Sequence, residues 1–245
     1  MKKVCSVLMS FVLMLVLIPN VSADSAPNLQ FKTPEALISY LESTTNSLTS
    51  VTTIDEYKNA PREKQEKILE YLNDPEFVKV MFTAITTTTA EDNSEQTFFN
   101  GDLVISTKAV DNSTSSSLID RGISTMAVGD TTIIGKGVDA TATVLGIDWV
   151  KLRTSLEVEI KVVAKDTSVV SRILRHSADV IHNYVPLAQI SANPNTPYIT
   201  SDGHYAYFTC MWEFKEAIYG MVLASKESWI WINKAQQFDG GIINL

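Results

Sequence analysis

The stretch Lys151-Leu152-Arg153-Thr154-Ser155-Leu156-Glu157-Val158-Glu159-Ile160-Lys161-Val162-Val163-Ala164 decides the reading of this chain. Leu152, Thr154, Leu156, Val158, Ile160, Val162 and Ala164 fall on one face, and Lys151, Arg153, Ser155, Glu157, Glu159 and Lys161 on the other. A two-residue period sustained this long describes a strand with one face on a core and one in water. A second alternation follows Asp202-Gly203. Ala206, Phe208, Cys210, Trp212 and Phe214 point one way, and Tyr205, Tyr207, Thr209, Met211 and Glu213 the other.

Around these two anchors the chain has β texture from Phe98 onward. Asn100-Gly101 between strand formers is a hairpin signal. Ile133, Ile134, Val138 and Val144, set among Gly135, Gly137 and Gly146, predict short strands with bends. Residues 167–182 fit helix or strand equally. Pro186, Pro194 and Pro197 predict a loop, and two further strands are expected at about 217–224 and 229–233, joined by Ser225-Lys226-Glu227. Several antiparallel strands with polar turns argue for a sandwich.

Upstream of Phe98 the pattern is helical. Thr33-Pro34-Glu35 supplies an N-cap, an N1 proline and a first-turn acid. A short helix is expected to open at Thr53 or Asp55 and run through Tyr57. Pro61 starts a run of helix formers to Leu72. Asp74-Pro75 stops that run and restarts a helix whose apolar stripe is Phe77, Val78, Met81, Phe82 and Ile85. Residues 86–97 lack apolar periodicity and read as a linker, and 111–117 form a second polar break. The expected fold class is α+β: a short N-terminal helical region followed by an antiparallel β-sandwich-like domain. Its parts are a leader at 1–23, helices and linker at 24–97, and a β domain at 98–245.

The leader expectation rests on order. Lys2-Lys3 precede the apolar run Val4–Ile18, Pro19-Asn20 breaks it, and Val21-Ser22-Ala23 presents compact residues to a signal peptidase. The run is shorter than the ~20 residues a spanning helix needs, so cleavage near Ala23, release to the extracellular space and a mature chain without a transmembrane segment are expected. Cys5 lies at the start of the apolar run, not just after it where a lipobox would place a cysteine. The formal charge of −8 becomes −10 when Lys2 and Lys3 leave, because 1–23 holds no acid. A chain this acidic, without a basic stripe, is not expected to bind nucleic acid or to lyse membranes as a cation. Loss of Cys5 would leave Cys210 alone, so no internal disulfide is expected.

No catalytic set emerges. Tyr207-Phe208-Thr209-Cys210 has the Thr-x-Thr-Cys look of a sortase strand end, but that chemistry needs a downstream arginine and none follows Arg175. Cys210 shares a face with Phe208 and Trp212 and reads as a buried small apolar residue. His176, His182 and His204 lack metal-ligand spacing, so neither metal nor cofactor is expected. Glu157 and Glu159 read as a solvated strand face beside Lys151, Arg153 and Lys161. No G-x-S-x-G elbow occurs. The sequence's candidate binding residues are aromatic. Trp229 and Trp231 share one face of a strand opposite Ile230 and Ile232, and Tyr205 and Tyr207 share the polar face of another. Exposed together they would form a wall for sugar rings or a protein partner. Packing within the sheet, or cover by the helices, is the competing expectation.

In organisation the chain resembles the secreted geobacillin-like antibacterial proteins of Gram-positive bacteria. The resemblance covers a leader, the helical segment Lys64-Gln65-Glu66-Lys67-Ile68-Leu69-Glu70-Tyr71-Leu72-Asn73-Asp74-Pro75-Glu76, and a long β-rich half. It implies growth inhibition of competing bacteria through an envelope target and transfers no functional residue. The expectation is therefore a secreted, non-enzymatic protein whose β domain binds an extracellular glycan, peptide or envelope component. An envelope-polymer hydrolase built from His176, His182, His204, Cys210 and nearby acids is one alternative, and a structural extracellular module is another.

Overall fold

The computed structural model describes residues 31–44, 51–85, 95–112, 127–186, 188–216 and 221–245. The leader expected at 1–23 and most of the two polar breaks lie outside the described residues.

Four helices lead: α1 (Pro34–Thr44), α2 (Val51–Asn59), α3 (Arg62–Asn73) and α4 (Pro75–Ala84). Local chemistry sets their ends. The Thr33 hydroxyl accepts from the Ala36 amide at 3.3 Å at the start of α1, and the Asp74 carboxylate accepts from the Glu76 amide at 2.9 Å at the start of α4. Each satisfies an amide that the first helical turn leaves without an internal partner. The second helix opens at Val51, before the Thr53 or Asp55 start expected from sequence. The α2–α3 corner is fixed by Gln65, whose amide donates to the carbonyls of Tyr57, Lys58 and Ala60.

The remainder is antiparallel β. The first sheet is a meander of β1 (Glu95–Phe98), β2 (Leu103–Asp111), β3 (Thr131–Val144), β4 (Ile147–Ala164) and β5 (Thr167–Asn183), each paired with the next. The second runs β10 (Phe238–Asn244), β9 (Val222–Asn233), β8 (Tyr205–Glu216) and β6 (Ala188–Pro194). The short β7 (Tyr198–Ile199) pairs with β8 beyond the break at Pro194 and Pro197, so β6 and β7 act as one interrupted edge.

The two alternations behave as the period requires. Leu152, Thr154, Leu156, Val158, Ile160 and Val162 are buried, as are Ala206, Phe208, Cys210, Trp212 and Phe214. Asn100-Gly101 lies in the β1–β2 hairpin, with positive φ at Phe99, Asn100 and Gly101. The β3–β4 hairpin turns on Leu145 and Gly146, both at positive φ, which matches the strand twist.

Several expectations are corrected. The linker expected at 86–97 already contains β1, which starts at Glu95 and completes the sheet edge on β2. The glycine-bent short strands are one strand, β3, because its backbone is paired on both sides with β2 and β4. The ambiguous 167–182 segment is β5, paired along most of β4. Ser225-Lys226-Glu227 is not a turn but the middle of β9, held between β8 and β10. The C-terminal residues, with no element expected, form β10.

Residues 31–245 form one compact unit. Its core is continuous from Leu37, Tyr57 and Phe77 in the helices to Val158, Phe208 and Ile230 in the two sheets. The sheets touch through buried side chains. The Thr154 hydroxyl donates to the Ser228 hydroxyl at 2.7 Å, and the Val138 Cγ2 lies close to Gly240. The helices meet these same buried faces: Tyr57 packs edge-on to Trp149 at 5.6 Å, and Phe82 lies 5.0 Å from Phe214.

Candidate functional site

The outward face of the second sheet carries the aromatic residues singled out in the sequence. Alternation puts Tyr205, Tyr207, Thr209 and Met211 on that face of β8, and Trp229 and Trp231 on that face of β9. Register brings them together: Tyr207 opposes Trp231, Thr209 opposes Trp229, and Tyr198 of β7 opposes Tyr207 from the other side. The rings form a connected row. Tyr198 stacks on Tyr207 at 5.3 Å and 17°, Tyr205 lies 5.9 Å from Tyr207, and Trp231 meets Tyr205 edge-on at 5.5 Å. Such geometries are individually favourable by about 0.5–1.5 kcal/mol, so the row is a preformed surface.

Tyr198 is 57 % exposed and Met211 is 40 % exposed, while the other four aromatics are half-buried. The helix contacts at Trp149 and Phe214 lie on the buried faces, so cover by the helices is not what the described residues show. Close ring packing within the sheet, the other bland expectation, is present and coexists with partial exposure. Burial raises the Tyr207 hydroxyl above its ordinary pKa, helped by Tyr198 and Tyr205, so the phenol is a neutral donor at physiological pH.

Polar groups border the row at one end. The Thr200 hydroxyl and the His204 amide both donate to Asp202, at 2.6 and 3.0 Å. These bonds, with His204 nearby, hold the Asp202 carboxyl below its ordinary value. His204 Nδ1 lies 3.2 Å from Asp202, and Lys234 Nζ lies 2.8 Å from His204 Nε2. A lysine ammonium only donates, so Nε2 accepts, and a neutral ring presents its Nδ1 proton to Asp202. On the far side of Tyr207, Asn195 donates to the Thr209 hydroxyl at 2.8 Å.

The other sequence candidates separate. His176 packs on Phe208 at 4.9 Å, His182 stacks on Tyr184 at 4.9 Å, and His204 belongs to the Asp202 turn. Cys210 is fully buried, and that burial pushes its thiol up to about 11, which makes it a poor nucleophile. No group of three or more histidine, cysteine, aspartate or glutamate side chains suited to a metal occurs among the described residues. Glu157, expected on a solvated face, is 8 % exposed, with Arg175 at 4.0 Å.

Sequence reasoning missed Tyr198, which directly follows Pro197 in a stretch read as loop. Only the non-local β7–β8 pairing makes it part of the row. No helix among the described residues is long and apolar enough to cross a membrane. Comparison of the chain with protein-family models, with curated proteins and with solved structures finds no match in any of the three.

Proposed function

We propose that this is a secreted, non-enzymatic binding protein whose second sheet presents an aromatic platform to a saccharide polymer of a cell envelope. The observation that carries the reading is the connected row Tyr198–Tyr207–Tyr205–Trp231 on an outward sheet face. One face of a pyranose ring is lined by C–H groups and stacks on aromatic rings, while its hydroxyls reach for hydrogen bonds at the edge. Asp202, His204, Asn195 and Thr209 supply such an edge. The contacts between Thr154 and Ser228 and between Val138 and Gly240 support a two-layer sandwich as the scaffold. The order of the first 23 residues supports export, and an antibacterial role of the kind implied by the geobacillin-like resemblance would follow from envelope binding.

Sedimentation of the purified protein with insoluble peptidoglycan, chitin and other envelope polymers tests the reading. Micromolar binding to at least one polymer, reduced tenfold or more by Tyr207→Ala, is expected; buried aromatic anchors commonly contribute about 2 kcal/mol or more to an interface. Binding to none, or to peptides alone, would set it aside.

A further inference from the structure

The first sheet carries a second constructed surface, polar where the platform is aromatic. Register lines up outward side chains in rows across the strands. One row reads Glu95, Ser106, Thr141, Lys151 and His182 from β1 to β5. The next reads Lys108, Asp139, Arg153 and Asp179 from β2 to β5. Neighbouring strands lie ~4.8 Å apart, so Lys108 and Lys151 face each other diagonally over the hydroxyls of Ser106 and Thr141. Ser106, Lys108, Asp139, Thr141 and Lys151 line a cavity of about 370 Å³, with Thr143 and Asp148 also on its wall.

Its charges are arranged unevenly. Asp139 is 4 % exposed, and Arg153 holds both its oxygens, Nε at 2.5 Å and Nη2 at 2.7 Å. Lys151 Nζ adds a third contact at 3.1 Å. Burial pushes the Asp139 carboxyl up, but the hydrogen bonds and charges of Arg153 and Lys151 outweigh it and hold it below its ordinary value. Asp139 thus sits between two cations, Arg153 and Lys151. Lys108 is exposed and makes no ion pair among the described residues. The Lys108 ammonium, and a Lys151 ammonium shared with Asp139, flank a hydroxyl floor in a chain whose net charge is −8. At the ends, Asp148 accepts from the Thr143 hydroxyl at 2.6 Å and keeps acceptor capacity, as does Glu95.

A separate observation marks the same end of the sheet. His182 pairs in register with Lys151, and its Nε2 is a buried atom with no hydrogen-bond partner among the described residues. A native protein rarely leaves such an atom without a partner.

We propose that this trough binds an acidic sugar of the hexuronic class. The sugar carboxylate bridges Lys108 and Lys151, its hydroxyls lie on Ser106 and Thr141, and Asp148 or Glu95 accepts from a hydroxyl at the end of the ring. A neutral sugar would leave Lys108 without a counter-charge, and a bare anion would leave the terminal acids facing it without a donor. The site is on the first sheet and does not depend on the aromatic platform of the second.

The test is an amide-resonance titration of the purified, isotope-labelled protein with D-galacturonate, D-galactose, acetate and inorganic phosphate. Saturable shifts confined to 104–108, 139–143 and 148–151 with galacturonate are expected, at least tenfold weaker with the other three probes. Lys108→Ala, at an exposed side chain that makes none of the Asp139 ion pairs, should weaken galacturonate binding tenfold or more with Tm unchanged. Lys151→Met should do the same and is interpreted only alongside its Tm. Equal binding of galactose would overturn the carboxylate's role. Equal binding of acetate or phosphate would overturn the sugar's role. Shifts confined to the second sheet, an absence of shifts, or an unaltered Lys108→Ala variant would each overturn the site.

Discussion

Lys226 places an amine at 2 % exposure, donating to the Thr83 carbonyl at the end of α4 at 3.0 Å and to the Asn244 side chain of β10. Thr83 is among the last carbonyls of its helix, where a cation is favoured. Even so, burial pulls the amine down to about 8. Between about pH 8 and 10.5 the unfolded chain therefore holds a proton that the folded one has released, and stability contributed by this group rises with pH across that window. Denaturant titrations of wild type and Lys226→Met should show their stability difference shifting toward wild type by on the order of 3 kcal/mol from pH 8 to 10.5. Cys210 and Tyr57, pushed up by burial to about 11 and about 12, act in the opposite direction but are common to both proteins and cancel. A flat difference would contradict the buried amine. For Cys210, a thiol reagent at pH 8 should modify the native protein at least a hundredfold more slowly than the denatured one. The burial of Cys210 was legible in the sequence because it shares a face with Phe208 and Trp212. That of Lys226 was not, because a polar Ser-Lys-Glu triplet resembles a turn until neighbouring strands pair with it.

Among the elements, β9 does most to tie the layers together. Its Ser228 hydroxyl receives the Thr154 hydroxyl of β4 at 2.7 Å and the Trp212 indole of β8 at 2.9 Å. Ser228→Ala would leave two buried donors without that acceptor, at a cost of roughly 2–4 kcal/mol, measurable by urea denaturation. Beside it, Gly240 of β10 passes so close to its neighbours that an added Cβ would lie 2.7 Å from Val138 Cγ2 and 2.8 Å from the Trp229 carbonyl. Backbone cannot yield as a flexible side-chain end can, so Gly240→Ala should destabilise by about 1–3 kcal/mol, by the same measurement. Neither relation could be seen along the chain. Alternation is a local property and revealed β4 and β8. The lengths of β3 and β5 and the existence of β10 are consequences of pairing between distant segments, and glycine or polar interruptions hide them from any local window.

At the scale of the whole molecule, helices and sheets share one core, so the β half is not left to bury its apolar faces alone. The α+β composition and the helix starts at Pro34, Arg62 and Pro75 were legible from caps, prolines and periods, whereas the start at Val51 was not. Tyr205, Tyr207, Trp229 and Trp231 could be assigned to their faces from alternation, but their assembly with Tyr198 needs the β7–β8–β9 register. The trough on the first sheet was hidden for the same reason: Lys108, Asp139 and Lys151 lie on three different strands.

The central claim is that the aromatic row is where a saccharide binds, and tryptophan fluorescence tests it most directly. Trp149 and Trp212 are fully buried, whereas Trp229 and Trp231 lie on the outward face. Titration with a soluble fragment of the envelope polymer that cosediments with the protein should change the emission saturably in wild type. The change should persist in Trp149→Phe and fall away in Trp231→Phe, with at least tenfold weaker binding in Tyr207→Ala. An emission change insensitive to Trp231→Phe, or binding unaltered in Tyr207→Ala, would contradict the account.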